Sequence, residues 1–449
     1  MNILVINGSP KGKYSTTLQT SLYLEILHPE HSFEYIDAGA RINSLEKDFS
    51  AAATEIEKAD LLLFSYPVYT FLAPSQLHRF IRLMKENCRV SGKFVSQITT
   101  SKHFYDITAH GYIRDNCLDM GMRYVKGLSA DMDDLTTEKG QNEAKSFFDY
   151  LVWCMDNGVC ENPAIKATKP KHVPVAQAVS GFTGERTGNV TIVADLAPGD
   201  TWLAAMIERF RSIFPKNTNL VNIHDFPFKG GCISCFNCAT DGSCIYKDGF
   251  QELLRDTIQT ADAIVIAFSI KDHSMGPTFK TYDDRQFCNG HRTVTMGMPF
   301  GYLVSGNLSE EENLRTVIEA RAEVGGNFLA GIATDEFDPD SEIDSLSDRL
   351  TYAINNKYVQ PANFYGVGGM KIFRDLIWLM QGLMRADHRF YKAHNQYDFP
   401  QKKTSTMLAM YLVGSMMSNA KIKAKIGNKM NEGMIAPYKK ILEKARKSL

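Results

Sequence analysis

The sequence lacks a hydrophobic run long enough to cross a lipid bilayer. Its longest apolar stretch near the C-terminus, residues 407–417, is about half of the roughly 20 residues that a membrane-spanning helix needs. It also lacks an excess of charge, because 50 Lys and Arg stand against 51 Asp and Glu and the net charge is −1. These absences exclude a predicted transmembrane segment and a global attraction to nucleic acid or anionic lipid.

Two nucleotide-binding motifs and a secretory signal are missing as well. Neither G-x-G-x-x-G nor G-x-x-x-x-G-K-[ST] occurs, which excludes the dinucleotide fingerprint and the P-loop. The chain opens MNILVINGSP, with neither a charged region nor a long apolar one, so we expect a cytoplasmic protein. Its 449 residues, 44% hydrophobic and 22% charged, predict a soluble globular protein of two or three domains.

What is present is a regular alternation of short β-rich runs and helical patterns, in residues 2–154 and again in residues 189–356. This alternation predicts α/β domains, each with a doubly wound five-stranded parallel sheet covered on both faces. Because the order repeats, we infer a tandem duplication of one fold. The predicted divisions are a first domain at 1–155, a linker at 156–188, a second domain at 189–360 and a C-terminal helical extension at 361–449.

Two loops of the first domain have the composition of a ligand site. Residues 8–17 are rich in Gly, Ser and Thr and open a helix, so their amides and hydroxyls could seat a phosphate group. The alternative is that Ser15 or Thr16 is only an N-cap. Aromatic residues in 65–74, after the third strand, could cover a flat ring or could simply be packing residues.

Four of the nine cysteines lie within thirteen residues and form the spacing C-x2-C-x2-C-x5-C. They are Cys232, Cys235, Cys238 and Cys244. Three cysteines, each separated from the next by two residues, favour a polynuclear iron–sulfur cluster, because each iron of the cluster needs a soft thiolate ligand. A structural zinc, plain thiols and disulfides remain as alternatives. Zinc usually takes two separated C-x2-C hairpins, and disulfides do not suit the reducing interior of a cell.

The first third of the chain resembles the flavodoxin-like NAD(P)H-dependent FMN reductases. NGSPKGKYSTT at residues 7–17 resembles their FMN-phosphate loop, PVYTFLAP at 67–74 resembles the segment beside the flavin ring, and Thr99-Thr100-Ser101 follows the fourth strand as their third flavin loop does. The resemblance implies a phosphate site, a ring site and a third contact. The implied residues are Ser9, Ser15, Thr16 and Thr17 for the phosphate, Pro67, Val68, Tyr69, Thr70 and Phe71 for the ring, and Thr100 with Ser101 for the third contact.

The cysteine loop resembles that of the iron–sulfur flavoproteins, in which a flavodoxin-like chain carries a compact four-cysteine motif. There the helix that follows begins much like Lys247-Asp248-Gly249-Phe250, and associating subunits bring cluster and flavin together. The resemblance implies two fused flavodoxin-like domains, an internal pseudo-dimer whose first half keeps FMN and whose second half keeps a [4Fe-4S] cluster on the four cysteines. The second half places Asp200 where a phosphate would prefer donors, which argues against a second FMN.

The function that these features predict is an FMN-dependent oxidoreductase. It would pass electrons between cluster and FMN to reduce a small organic or quinone-like acceptor, with NAD(P)H or a small redox protein as donor. Candidate proton donors, each also explicable as structural, are Tyr69, His103, Tyr105 and His273. Two alternatives are an electron-transfer protein that docks a partner enzyme and a flavin-binding module with a structural zinc.

Beyond residue 365 the spacing of apolar residues predicts one long amphipathic helix, a second helix at 404–419 and a third at 436–447. From residue 421 onward nine Lys or Arg stand against two Glu. This is either a solvated basic face or a surface for an acidic partner or anionic membrane. The extension could cover the substrate pocket or mediate homodimerisation.

Overall fold

The computed structural model describes residues 1–161, 175–419 and 421. The chain divides into two compact units, residues 1–391 and 392–449. None of the helices in the described residues is long and apolar enough to span a bilayer. Both parallel sheets lie in the first unit.

The first sheet is wholly parallel and has the strand order β2-β1-β3-β4-β5, with β6 also pairing with β4. Its strands are β1 (Asn2–Asn7), β2 (Ser32–Ile36), β3 (Leu61–Pro67), β4 (Phe94–Ser101), β5 (Arg123–Tyr124) and β6 (Leu128–Asp131). The short β5 and β6 follow one another along β4 and are the two pieces of the predicted fifth strand. At the break between them, a Cβ on Gly127 would lie 2.4 Å from the Gln97 carbonyl oxygen, so the backbone passes too close for a side chain.

Six helices belong to the first domain. They are α1 (Thr16–Leu27), α2 (Ala38–Leu45), α3 (Ser50–Lys58), α4 (Ser75–Asn87), α5 (Asp106–Asp119) and α6 (Glu138–Asp156). Helix α2 lies in the connection between β2 and β3. It is helical because Ile42 and Leu45 share one buried face, and because Gly39 allows the helix to approach the loop after β1.

The second sheet repeats this arrangement with the order β11-β10-β9-β7-β8, all parallel. Its strands are β7 (Thr187–Asp195), β8 (Lys216–Asn222), β9 (Ala263–Ser269), β10 (Pro299–Ser305) and β11 (Phe328–Thr334). Its helices are α7 (Thr201–Ile213), α8 (Cys238–Asp241), α9 (Phe250–Glu252, continued by a π-helical turn Leu253–Ile258), α10 (Gly276–Arg285), α11 (Glu312–Gly325) and α12 (Pro339–Asn356). Numbered within each domain, both sheets have the flavodoxin order 2-1-3-4-5. The predicted fold class is confirmed.

The two sheets share one hydrophobic core. Leu4 and Ile6 of β1 lie in the same cluster of buried side chains as Ile266 and Phe268 of β9, and α4 packs against α10 between them. The alternate residues of β1 face the opposite side of the first sheet and pack in a separate cluster with Phe148 of α6. The halves of the predicted duplication are thus joined through apolar faces, as two subunits of a dimer would be. Their exact boundaries stay a prediction.

Equivalent loops from the two domains have the same unusual backbone. Thr70 and Phe71 after β3 have φ of 45° and 70°, and Asp272 and His273 after β9 have φ of 53° and 59°. Residues with a side chain rarely adopt this left-handed region, so tertiary contacts must hold both loops in place. Each domain supplies such contacts to the other. Lys85 of α4, for example, lies 2.8 Å from the carboxylate of Asp272.

The C-terminal part is helical but differs from the prediction. The single long helix is divided into α13 (Phe364–Leu379) and α14 (Arg385–Ala393), and the turn between them contains Gly382, a poor helix former. The second predicted helix is α15 (Thr404–Met417). The third, at 436–447, lies outside the described residues.

Candidate functional site

A cavity of about 480 Å³ lies in the unit formed by residues 1–391. Its walls include the loops after β1, β3 and β4 of the first domain and the four-cysteine loop of the second. Since ligands of open parallel sheets bind at the carboxyl ends of the strands, the first-domain part of this cavity is where the fold predicts a site. Its size is within the range of cofactor pockets.

The loop after β1 is folded around the side chain of Asn7. The side-chain amide nitrogen of Asn7 donates one hydrogen bond to the carbonyl oxygen of Gly12 at 3.0 Å and another to the carboxylate of Asp37 at 2.8 Å. Ser15 caps α1, because its hydroxyl accepts a hydrogen bond from the backbone N–H of Leu18 at 3.4 Å. Ser15 therefore serves as the N-cap and also lines the cavity. Its part in binding a phosphate stays a prediction.

Helix α2 completes the loop after β1. A Cβ on Gly39 would lie 2.4 Å from the Gly8 carbonyl oxygen and 2.5 Å from that of Ser9, so only glycine allows this contact. The loop is thereby pressed against the start of α1, whose N-terminal amides carry partial positive charge. Free amides, hydroxyl groups and the helix dipole together fit a phosphate monoester.

The loop after β3 is held from the second domain. Lys280 of α10 donates from Nζ to the carbonyl oxygen of Tyr69 at 2.8 Å. Asp284, one turn further along α10, accepts from the backbone N–H of Ser75 at 2.8 Å and from the hydroxyl of Thr70 at 3.3 Å. The two α10 side chains also form an ion pair with each other and are fully buried. The predicted ring-binding loop thus has its shape fixed by groups from the other half of the chain.

The third loop, after β4, is linked to the first. The hydroxyl oxygens of Thr17 and Thr100 lie 2.6 Å apart, and both side chains are buried. Ser101 accepts from the backbone N–H of His103 at 2.9 Å. Lys102 lines the cavity and pairs with Asp131 at 2.6 Å and with Asp133 at 2.7 Å, so its charge is balanced locally.

All four cysteines of the second-domain loop line the same cavity. Ser234 and Phe236, on either side of Cys235, have left-handed backbone with φ of 50° and 60°, and the N–H of Ser234 points to the sulfur of Cys232 at 3.4 Å. Burial raises the pKa of Cys232 to about 12 and that of Cys238 to about 11. These thiols are therefore protonated unless a metal centre takes the proton's place.

The donor set of this loop fits an iron–sulfur cluster. Four soft sulfur ligands face one space, and an N–H aimed at a sulfur is a contact that stabilises a thiolate ligand. In the described part of the chain, no three His, Cys, Asp or Glu side chains are grouped so as to hold a metal ion. That observation supports neither a cluster nor a mononuclear zinc, and both stay predictions.

The cysteine loop and the first-domain loops are in direct contact. Lys11, from the predicted phosphate loop, lies with its Nζ 5.0 Å from the ring centroid of Phe236. Gln76 donates to the Cys232 carbonyl oxygen at 3.4 Å. A Cβ on Gly231 would lie 2.3 Å from the Ser75 hydroxyl oxygen, so these two segments approach each other as closely as the backbone permits. Burial lowers the pKa of Lys11, against the opposing electrostatic effect of the nearby Cys232 and Cys235.

The cavity brings together most of the predicted site residues. Those that line it are Ser9, Ser15, Thr16, Pro67, Val68, Tyr69, Thr70, Phe71, Thr100, Ser101, Cys232, Cys235, Cys238 and Cys244. Thr17 is buried behind the wall, where it supports Thr100. Of the candidate proton donors only Tyr69 lines the cavity. His103 pairs with Asp106, the hydroxyl of Tyr105 donates to the Tyr365 carbonyl, and His273 lies between Asp119 and Glu311.

Several lining residues were not predicted. The clearest are Lys11, Lys102, Arg285, Cys288 and Arg321. Lys11 lay inside the quoted phosphate loop and could have been included. Arg285 and Arg321 come from regular helices, where nothing in the local pattern separates them from surface residues.

The equivalent position in the second domain is filled by acidic side chains. Asp200 caps α7 by accepting from the backbone N–H of Leu203 and also accepts from the hydroxyl of Ser269 at 2.6 Å. Asp195 is buried beside it on β7 and pairs with His224 at 2.9 Å. Carboxylates at the helix start repel a phosphate, which supports the expectation of a single flavin.

Comparison with known proteins agrees with this architecture. Residues 1–132 match the family model for the flavodoxin-like fold, Flavodoxin_2. The first domain is flavodoxin-like. An iron-sulfur flavoprotein of Archaeoglobus fulgidus is 26% identical over 176 residues, which is 36% of this chain and 77% of that protein. Together these matches confirm the resemblance to flavodoxin-like FMN reductases that the sequence motifs indicate.

Solved structures with flavodoxin-like chains are also similar over about a third of this protein. General stress protein 14 of Treponema denticola, in complex with FMN, is 14% identical, covers 34% of this chain and 99% of its own, and has a TM-score of 0.29. An NADH:FMN oxidoreductase is 19% identical, covers 36% of this chain and 91% of its own, and has a TM-score of 0.30. Neither likeness is close enough to assign a function.

Proposed function

We propose that this flavodoxin-like protein is an oxidoreductase that uses FMN in its first domain and a [4Fe-4S] cluster on the cysteine loop of its second. One observation carries the proposal, namely that Cys232 and Cys244 line the same cavity as Ser15 and Tyr69. When bound, FMN exchanges a hydride or single electrons, and a cluster exchanges single electrons. A site that holds both could couple a one-electron donor to a two-electron reduction.

Each first-domain loop has a distinct part in this proposal. The start of α1, with Ser9, Ser15 and Thr16, would hold the FMN phosphate, and residues 67–71 would flank the ring. Thr100 and Ser101 would contact the ring from the other side, with Thr17 fixing the hydroxyl of Thr100. The contacts from α10 keep residues 69 and 70 in position before the cofactor binds, which lowers the cost of binding.

The residues around the cysteine loop control its charge and exclude water. Arg285 is almost fully buried, forms a two-pronged ion pair with Asp248 at 2.8 Å and lies 4.4 Å from the ring centroid of Tyr246. Arg255 donates to the carbonyl oxygen of Gly242 at 2.6 Å. Positive charge near sulfur ligands favours the more reduced state of a cluster. Asp248 balances the charge of Arg285, so Arg255 is the residue that would raise the cluster's reduction potential toward that of a flavin.

The electron donor would be NAD(P)H or a small redox protein, and the acceptor a small organic or quinone-like molecule. Tyr69 is the candidate proton donor that touches the cavity, and burial raises the pKa of its hydroxyl far enough to keep the proton at neutral pH. All nine cysteines are free, which supports a reducing, cytoplasmic location. The homodimer and a protein redox partner remain parts of the proposal.

The proposal can be tested with anaerobically purified protein and one matched pair of variants. Cys235→Ser removes a predicted cluster ligand, whereas Cys160→Ser changes a cysteine outside the cavity. Rapid mixing with NADH or NADPH follows bleaching of the flavin, and rapid mixing with a reduced ferredoxin follows one-electron entry. We expect Cys235→Ser to keep its flavin while losing rapid electron entry from ferredoxin, and Cys160→Ser to behave as the parent. Loss of flavin from Cys235→Ser, or unchanged ferredoxin kinetics, would contradict the proposal.

A further inference from the structure

The cavity does not end at the flavin and cysteine loops but continues into the interior of the second domain. We call this part the inner chamber. It is formed by side chains of β9, β10, α10, α11 and α13, chiefly Ile264, Phe279, Tyr282, Tyr302, Arg321 and Phe373. Most of these walls are apolar, and the FMN and cysteine loops contribute none of them. A chamber of this kind excludes water and suits an apolar organic molecule.

Three hydrogen-bond donors stand in these apolar walls. Arg321 uses its Nη2 group to pair with Asp283, while its Nη1 group is buried and has no hydrogen-bond partner in the described part of the chain. The hydroxyls of Tyr282 and Tyr302 also make no hydrogen bond to any described residue, although these side chains are only 2% and 4% exposed. A buried guanidinium nitrogen without a partner is unfavourable. Because two tyrosine hydroxyls that bond no described residue line the same cavity, the three donors together indicate a ligand with an acceptor oxygen.

The charges around Arg321 indicate that this ligand is uncharged. Arg321 pairs with Asp283, and the neighbouring Lys280 pairs with Asp284. Two positive and two negative side chains sum to zero. An anion would add an unbalanced charge to a buried site, whereas a hydrocarbon would leave the three donors unpaired. A carbonyl oxygen satisfies the donors and keeps the site neutral.

We propose that the inner chamber is the binding site for the electron acceptor and that it takes uncharged apolar molecules bearing a carbonyl group. The carbonyl oxygen would accept hydrogen bonds from Arg321, Tyr282 and Tyr302. As an acceptor site it rests on the proposed function, because its link to the flavin is Phe71. The guanidinium carbon of Arg321 lies 5.5 Å from the centroid of that ring, and Phe71 belongs to the loop that would flank FMN.

The test compares three probes of similar shape by titration calorimetry on the purified full-length protein. Benzalacetone carries a ketone, cinnamate carries a carboxylate and propenylbenzene has no oxygen. Tyr282→Phe and Tyr302→Phe remove one hydroxyl each without changing the shape of the wall, and Tyr352→Phe, on the exposed face of α12, is the control. We expect benzalacetone to bind most tightly, and each chamber variant to weaken it about fivefold, the effect of one neutral hydrogen bond. Propenylbenzene should bind equally to all four proteins.

Several results would overturn the proposal. They are equal affinities for the ketone and the hydrocarbon, tighter binding of cinnamate than of benzalacetone, no binding of the ketone, and a ketone affinity that neither chamber variant changes. Arg321→Met is less suitable because it leaves the buried Asp283 with only Lys280, 3.5 Å away, as an ion-pair partner. The tyrosine variants therefore carry the test. FMN content is measured on the same samples. Protein that binds the ketone through its tyrosines but holds no FMN would contradict the proposed function and leave the ketone site of the chamber supported. Protein that holds FMN but does not bind the ketone would contradict the chamber proposal alone.

Discussion

The buried pair of Lys280 and Asp284 offers a sharp test of how the second domain supports the flavin site. Both side chains are 0% exposed and belong to one ion pair. Lys280→Met removes the positive charge, the bond to the Tyr69 carbonyl and the partner of Asp284. Breaking a buried pair on one side costs about 3–5 kcal/mol, a large part of the roughly 5–15 kcal/mol by which a domain is stable.

The double variant separates the effect of an unpaired buried charge on stability from the effect of the lost contacts. The double variant Lys280→Met, Asp284→Asn leaves no unpaired charge at either position. The amide oxygen of the Asn side chain can still accept a hydrogen bond from the N–H of Ser75. We therefore expect the double variant to regain most of the stability that the single variant loses, while FMN still dissociates more readily because the Tyr69 carbonyl has lost its donor.

Urea unfolding of the holoprotein, together with an FMN dissociation assay, measures both effects. Lys58→Met is the control, because Lys58 pairs with Glu55 on the exposed face of α3 at 2.9 Å and its loss should change neither readout. A loss below about 1 kcal/mol for Lys280→Met would refute the reasoning, since a pair that matters so little is not a buried, charged one. The absence of recovery in the double variant would refute it equally.

Three further predictions concern the phosphate loop and the domain contact. Ser15→Ala should weaken FMN binding about tenfold and destabilise α1 by about 1 kcal/mol, measured by flavin fluorescence and by urea unfolding. Gly39→Ala should displace the loop at Gly8 and release FMN while leaving the far-ultraviolet circular dichroism unchanged, since its Cβ has no room. Burial would lower the pKa of His273, but the hydrogen bonds that its ring donates to the carboxylates of Asp119 and Glu311 outweigh burial and raise the pKa to about 9. The raised pKa means that protonated His273 stabilises the folded protein. This stabilisation is complete below about pH 6.5 and disappears as the pH rises through about 9. His273→Gln should therefore remove that part of the pH dependence of unfolding.

These predictions fail in recognisable ways. An unchanged FMN affinity in Ser15→Ala would mean that the phosphate lies elsewhere, and Ser50→Ala, on the exposed start of α3, is its control. Normal FMN binding by Gly39→Ala would show that the loop after β1 can move. A pH profile of unfolding that is the same with and without the His273 imidazole would show that this contact between the domains contributes nothing.

Much of the fold was predictable because local pattern and tertiary environment agree. The strands β9 and β11 are examples. AIVIAFS of β9 is an apolar run between turn residues and is almost wholly buried, and FLAGIAT of β11 is a similar run at the edge of the sheet, where it is partly buried. Helix α7 is a further example, because Asp200 is an N-cap residue and the apolar positions repeat at helical spacing. The loop after β1 and the cysteine loop could be selected because their residue types are concentrated in short stretches, and both line the cavity.

What could not be predicted depends on contacts between distant parts of the chain. Helix α2 contains Gly39, Asn43 and Ser44, which are weak helix formers, and it is helical because it packs against the loop after β1 and α4. The role of Lys280 follows from a bond to a carbonyl 211 positions earlier, which no local pattern encodes. Arg321 is comparable, since only the folded chain shows that its helix faces a cavity.

The central claim is that the cysteine loop of the second domain and the flavin loops of the first domain equip one cavity with two cofactors. The most direct measurement is the content of iron, acid-labile sulfide, zinc and FMN per chain in anaerobically purified protein. We predict about four iron, four sulfide and one FMN with no stoichiometric zinc, the composition of one [4Fe-4S] cluster and one flavin. One zinc per chain, or a protein without flavin, would contradict the account.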